Sequence, residues 1–287
     1  MRLATYGSGD IVSGRLHRKG IWEATELRRL KRVLQPNDTF IDVGANLGVF
    51  TVYAALLGAH VIAVEPLQAN RELLQANLCL NRIPSTQVTV QPVGLGPHRR
   101  DRGACHLVSG THNRGDAVMH CASAGGKVRH HPGQAELRIE RLDDILAATK
   151  AVRPRLLKLD VEGMELGAIE GASAAFAIAP PHEVIFECNH AMAVARGYDT
   201  ASWQAWARNH SCVLEPQALS MPWWLLRFPP ALPLLLRNCG GANWSMRCGL
   251  SPGRRFIEAW ATLWLALLYV VAVGLGARWY VRRLCAR

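Results

Sequence analysis

Short apolar runs recur along the first two thirds of the chain, at residues 39–43, 60–64, 87–92, 155–159 and 183–186, each bounded by polar or turn residues. Runs of this length with little polar alternation fit strands covered on both faces. Between them, residues 49–57, 69–80 and 166–176 are compatible with helix. Strands separated by helices predict βαβ units, so the expected fold is α/β, a Rossmann-like sandwich around a mostly parallel sheet. Such sheets bind ligands beyond the carboxyl ends of their strands. The residues that follow each run therefore come first.

The first run ends in Phe40-Ile41-Asp42-Val43-Gly44-Ala45-Asn46-Leu47-Gly48, ahead of a helix. Glycine at 44 and 48 lets a ligand approach bare main chain. The spacing is not the G-x-G-x-x-G of dinucleotide sites, because Asn46 stands where a second glycine would admit a pyrophosphate. Asp42 would repel phosphate and suits an ammonium group. The second run ends in Val64-Glu65-Pro66, 21 residues beyond Gly44, the spacing at which an acid meets a ribose diol. Asp42, Gly44, Ala45, Asn46, Gly48 and Glu65 thus form a predicted site for an adenosyl cofactor without a diphosphate, and S-adenosylmethionine fits. After the third run, Pro92-Val93-Gly94-Leu95-Gly96 offers no acid for the adenine amine.

The fourth run continues as Lys158-Leu159-Asp160-Val161-Glu162-Gly163. Strand alternation puts Lys158 and Asp160 on one face, where they can pair. Asp160 and Glu162 then stand at the strand tip as candidate catalytic residues, two carboxylates suited to acid/base work.

Three stretches of the chain resemble the FkbM-type methyltransferases, a family within the class I S-adenosylmethionine-dependent fold. They are Gly20-Ile21-Trp22-Glu23; residues 39–48 with Val64-Glu65-Pro66; and residues 157–165 with Glu170-Gly171-Ala172. Weaker likeness lies in Asn70, Asn77 and Asn81, in Asn113-Arg114-Gly115, in Leu142-Asp143-Asp144 and in Phe186-Glu187. The resemblance covers about residues 10–187. It implies methyl transfer to a hydroxyl oxygen of a glycan, lipid-linked or small-molecule acceptor. A soluble small-molecule methyltransferase and a catalytically silent cofactor-binding scaffold are the alternatives. Glu23 is near the site by resemblance only and stays outside the catalytic pair.

The composition, 287 residues with 49% hydrophobic and 19% charged, is globular and excludes a disordered or collagen-like chain. The net charge of +11 comes mostly from arginines scattered along the chain, with no aromatic-interleaved basic motif, so no nucleic-acid partner is expected. Eight cysteines show no C-x-x-C pair, which predicts reduced thiols rather than a zinc ribbon or a disulfide framework. Six of eleven histidines fall in residues 97–133 without the spacing of a tetrahedral site, and no metal is predicted. That stretch reads as an insertion or a short antiparallel excursion over the active site.

Residues 259–277 are uncharged and apolar all round, with arginines on both flanks. As a helix they would reach ~28 Å, close to the hydrocarbon thickness of a bilayer. The expected organisation is a methyltransferase domain over 1–250 and a membrane anchor over 256–281. Residues 221–236 are also apolar but are broken by Arg227 and four prolines, which fits a packed or interfacial stretch. The first residues lack the apolar core of a secretory signal, so the catalytic domain is expected on the cytosolic side.

Overall fold

A computed structural model describes residues 1–7, 9–108, 117–121, 135–151, 153–195, 197–216 and 240–248. In chain order its elements are α1 (Ile11–Lys19), α2 (Ala24–Val33), β1 (Thr39–Val43), α3 (Val49–Leu56), β2 (His60–Val64), α4 (Gln68–Leu80) and β3 (Val88–Gln91). There follow β4 (Gly94–Leu95), β5 (Arg100–Val108), β6 (Val118–Cys121), β7 (Ala135–Glu140), α5 (Leu142–Thr149) and β8 (Leu156–Leu159). The last are α6 (Glu165–Glu170), α7 (Ser173–Ile178), β9 (Glu183–Asn189), α8 (His190–Ala195), α9 (Thr200–Asn209), β10 (Val213–Pro216) and β11 (Gly240–Arg247).

Seven strands make the main sheet in the order β10-β11-β9-β8-β1-β2-β3. From β9 to β3 every pair is parallel. The reversed strand is β11, antiparallel to β9 on one side and to β10 on the other. Side-chain alternation along β1 sorts its residues between two cores. Ile41 and Val43 pack with Leu157, Leu159, Leu166, Phe176 and Trp203. Phe40 packs with Leu156, Leu30, Phe50 and Leu74. Each such fully buried side chain is worth about 1.5–3 kcal/mol in water exclusion, so a one-residue slip of β1 would invert both cores.

Residues 94–140 supply a second sheet, β4-β7-β5-β6, with its own small core of Cys105, Leu107, Leu137 and Ile139. The expected antiparallel excursion is thus a sheet in its described part. Residues 166–176, expected as one helix, form two, because the chain turns at Gly171. A Cβ there would stand 2.4 Å from the Gly96 carbonyl oxygen, so the chain just after β4 comes too close for any residue but glycine.

The expectation of reduced thiols is overturned. Cys105 and Cys121 form a disulfide, as do Cys212 and Cys248, while Cys79 is free and exposed. Cys105 and Cys121 face each other across the β5–β6 pair, and Cys212 and Cys248 flank the β10–β11 ladder. Register brings them together, and register is invisible in sequence spacing. Disulfides persist in oxidising compartments. The apolar segment at 256–281 and the stretch 221–236 lie outside the described residues. Among the described residues, no helix is long and apolar enough to cross a membrane.

Candidate active site

At the tip of β1 the main chain doubles back under the tip of β8. Gly44 adopts φ +76°, and a Cβ on it would lie 1.9 Å from the carbonyl oxygen of Asp160. Glycine is required here by sterics as much as by backbone conformation. The turn is pinned to β2, since the amides of Gly44 and Ala45 both donate to the Val64 carbonyl, at 2.9 and 3.1 Å. Gly48, at φ +90°, caps α3 and packs on Leu74.

Glu65 is buried and already engaged. Its Oε2 accepts from the Asn46 amide at 2.8 Å, and its Oε1 accepts from the Leu67 amide at 2.8 Å and the Asn70 side chain at 3.3 Å. Burial raises its pKa, against these bonds. The acid at the tip of β2 therefore shapes the glycine turn on the tip of β1. Asn70 also accepts from the Tyr6 hydroxyl at 2.9 Å. Further along α4, Asn77 bonds both the carbonyl of Ala4 at 3.0 Å and that of Leu47 at 2.8 Å, and Asn81 bonds the amide and carbonyl of Arg2. The three asparagines strap the first residues of the chain alongside the site.

Lys158 is buried, with its Nζ 3.2 Å from Asp160 Oδ2, 3.7 Å from Asp42 Oδ1 and 5.0 Å from the centre of the Phe50 ring. Burial alone would lower its pKa, but Asp160, Asp42 and Glu23 outweigh it and raise the pKa, keeping the ammonium charged. Asp42 is wholly buried and also accepts from the Thr51 hydroxyl at 2.6 Å. Burial raises its pKa despite both partners.

The loop beyond β8 holds two carboxylates in different ways. Glu162 adopts φ 54°, the left-handed region that few side chains other than Asn and Asp enter readily. Glu165 folds back, and its Oε1 accepts from the amides of Val161 at 3.0 Å and Gly163 at 3.2 Å. Burial pushes the Glu165 carboxyl up to about 7. On the neighbouring strand, Glu187 follows the Leu159–Phe186 pair of β8 and β9, level with the tip of β8 and two residues short of the end of β9. Carboxylate oxygens of Asp160, Glu162 and Glu187 lie within 4.8 Å of one another. Burial pushes Glu187 up to about 8, reinforced by Asp160, Glu162 and a hydrogen bond shared with Asp160. Glu23, at φ 41° ahead of α2, is raised to about 7, chiefly by burial.

These groups surround two adjoining hollows. The larger, about 260 Å³, is lined by Trp22, Glu23, Gly44, Asn46, Lys158 and Glu187 among others. The smaller, about 60 Å³, is mostly apolar, with Val93, Leu107, Met119 and Leu137 contributing. Gly44, Glu65, Asp160 and Glu162 line both.

Residues 42–212, more than half of the chain, match the methyltransferase FkbM domain. The chain belongs to the FkbM methyltransferase family. It is 33% identical over 149 residues to the AMB antimetabolite synthetase AmbE of Pseudomonas aeruginosa, covering 47% of this chain and 7% of that protein. It is 27% identical over 152 residues to Methyltransferase 1 of Beauveria bassiana, covering 47% of this chain and 59% of that one. The matched region thus spans less than two thirds of either relative. A solved structure of methyltransferase FkbM from Methylobacillus flagellatus KT is 15% identical, with 85% of this chain and 48% of that one covered and a TM-score of 0.47.

Within this FkbM domain the residues singled out in the sequence divide. Gly44, Ala45, Asn46, Glu65, Asp160 and Glu162 all line the larger hollow. Asp42 and Gly48 line neither hollow. Asp42 lies one residue inside the strand tip and turns into the core as the partner of Lys158, and Gly48 serves the helix cap. Sequence reasoning left Glu187 out of the site and Glu23 out of its chemistry. The signals were the Phe186-Glu187 strand end and the Trp22-Glu23 pair, both visible only as family likeness.

Proposed function

We propose that the protein transfers the methyl group of S-adenosylmethionine to a hydroxyl oxygen. The observation that carries this reading is that two hollows of different character share Gly44, Glu65, Asp160 and Glu162 at the strand tips. Membership of the FkbM family supports it. The bound cofactor would supply a methyl group on a positively charged sulfur.

The residues present fit that cofactor. The apolar hollow between the two sheets suits a flat adenine, held by Val93, Leu107, Met119 and Leu137 rather than by an acid. Glu65 offers about four acceptor sites, and the three bonds it makes leave room for a ribose hydroxyl. In the larger hollow five carboxyl groups, those of Glu23, Glu65, Asp160, Glu162 and Glu187, stand with the single ammonium of Lys158. Burial and mutual repulsion raise Glu23 and Glu187, and a ligand bearing sulfonium and ammonium charges would be favoured by drawing them into the ionised form, while an anionic one would be disfavoured.

For the acceptor, Trp22 offers a ring face and the carboxylates offer hydrogen-bond acceptors, which together suit a glycan or other polyol. Asp160 and Glu162 orient its hydroxyl, and positioning contributes most of the rate in a displacement of this kind. The sequence alone leads us to propose that residues 256–281 anchor the domain to a membrane.

A thermal-shift comparison tests the cofactor. Adenosylhomocysteine is expected to raise Tm, and nicotinamide dinucleotides to leave it unchanged. Labelled methyl transfer to glycan-bearing membrane and soluble extracts tests the reaction, and label recovered on nitrogen or carbon would count against oxygen as the acceptor atom. Carbonate extraction tests the anchor, since a spanning helix stays in the pellet.

A further inference from the structure

Asp160 is the obvious strand-tip base, but it is committed elsewhere. Lys158 holds its Oδ2 at 3.2 Å, and the same ammonium leans on Asp42 at 3.7 Å. Taking a proton on Asp160 would leave that buried ammonium with only part of its counter-charge, which costs heavily away from water. Glu187 stands in the opposite position. It lies on the adjacent parallel strand β9, one residue past the Leu159–Phe186 pair and so level with the tip of β8, is half-buried, and lines the larger hollow together with Gly44 and Glu162. Its carboxyl shares a hydrogen bond with Asp160.

Resting on the methyl-transfer reading above, we propose that Glu187 is the catalytic base, and that Asp160, fixed by Lys158, is the positioning residue that orients it. The acceptor's O–H proton passes to the Glu187 carboxylate as the oxygen lone pair forms the new bond to the methyl carbon. The carbon–sulfur electron pair returns to sulfur, which becomes a neutral thioether. One proton, one methyl group and one positive charge are thereby accounted for.

The charged groups around Glu187 favour this division. Asp160, Glu162 and Glu165 face it from β8 and the loop and helix beyond, and all three act to raise its pKa. Glu23 and Glu26 from the α2 side line a narrow cleft with it, together with Lys158. A carboxyl raised to about 8 is a far better proton acceptor than an ordinary one and still ionises near neutrality, which is where a base works best. A positively charged cofactor bound in the same hollow draws that value down toward neutral pH.

The test uses the full chain and Glu187→Gln, which keeps the side chain's shape, with Glu187→Asp as the conservative partner. Carbon-13 NMR of labelled glutamate carboxyls in the cofactor-free protein is expected to show one group titrating at about 8, absent in Glu187→Gln and shifted in Asp160→Asn. Adenosylhomocysteine affinity of Glu187→Gln should fall far less than its kcat. Its kcat should fall about 100-fold or more, with the rising limb of the pH–rate profile gone, and Glu187→Asp should recover part of both. A Glu187 carboxyl titrating in the ordinary range, or a Glu187→Gln enzyme that keeps its kcat and its limb, overturns the assignment while leaving methyl transfer standing. A wild type that shows the raised carboxyl in NMR yet transfers no methyl group to any hydroxyl acceptor overturns both, and does so through the reaction rather than the residue.

Discussion

Gly44 and Asp160 touch main chain to main chain, and a Cβ on the glycine would fall 1.9 Å from the Asp160 carbonyl oxygen. The two strand tips that bear the glycine turn and the carboxylates are thus spaced by the absence of one methyl group. Gly44→Ala is expected to lower Tm and to weaken adenosylhomocysteine binding at least tenfold, because the added atom must displace backbone and also sits at positive φ. Calorimetry of a folded Gly44→Ala with unchanged affinity would show that the contact does not set the site.

Glu65→Gln removes one acceptor oxygen and turns an amide N–H toward the main-chain N–H of Asn46 or Leu67. The expected loss in adenosylhomocysteine binding is about 1–3 kcal/mol, the worth of hydrogen bonds to a charged group. A parallel drop in Tm is expected, since the same carboxylate secures the turn at Asn46. Affinity lost with Tm unchanged would assign Glu65 to the ligand alone.

The strands, the glycine turn and the acid at 65 were legible because each is written in a continuous stretch and depends on local sterics. Lys158 pairing with Asp160 was legible from alternation alone. Depth was not legible: Asp42 was expected to meet the cofactor's ammonium, but it is wholly buried and lines neither hollow, and its charge serves Lys158. Relations that need register were also hidden, among them the two disulfides seen among the described residues and the approach of Glu187 to Asp160. The reversed strand β11 was hidden too, because it joins the sheet beside β9 across a long separation in sequence.

Stability should depend on pH through Glu165. Its carboxyl is raised from 4.5 to about 7, so the folded state binds the proton more tightly than the unfolded chain. The stability this lends is complete below about 4.5 and is lost as pH rises through about 7, on the order of 2–3 kcal/mol for a group so buried. Glu23 adds a contribution of the same sign. Tm is expected to fall as pH rises across this window, and Glu165→Gln, which still offers an oxygen to the Val161 and Gly163 amides, should flatten the slope. An unaltered slope in that variant would remove Glu165 from the account.

Asn77→Ala leaves the Leu47 and Ala4 carbonyls without their side-chain donor. The expected cost is about 1–3 kcal/mol, read as a drop in Tm larger than that of Asn81→Ala, whose bonds to Arg2 are exposed. Equal drops would mean that the strap is held elsewhere.

Cys121→Ser removes the covalent tie on β6, which carries Met119 to the apolar hollow and is otherwise paired, among the described strands, with β5 alone. Closing a loop of 16 residues contributes about 3 kcal/mol in the chain-entropy account. Adenosylhomocysteine affinity is expected to fall several-fold along with Tm. Affinity that survives while Tm drops would separate β6 from the cofactor.

The bridge between Cys212 and Cys248 spans 36 positions of sequence and closes a covalent ring around everything from 213 to 247. A protease that nicks the chain once anywhere inside that ring leaves the two fragments joined. They should co-migrate on a denaturing gel until a thiol reductant is added, so limited digestion of this protein has to be read on paired reducing and non-reducing lanes.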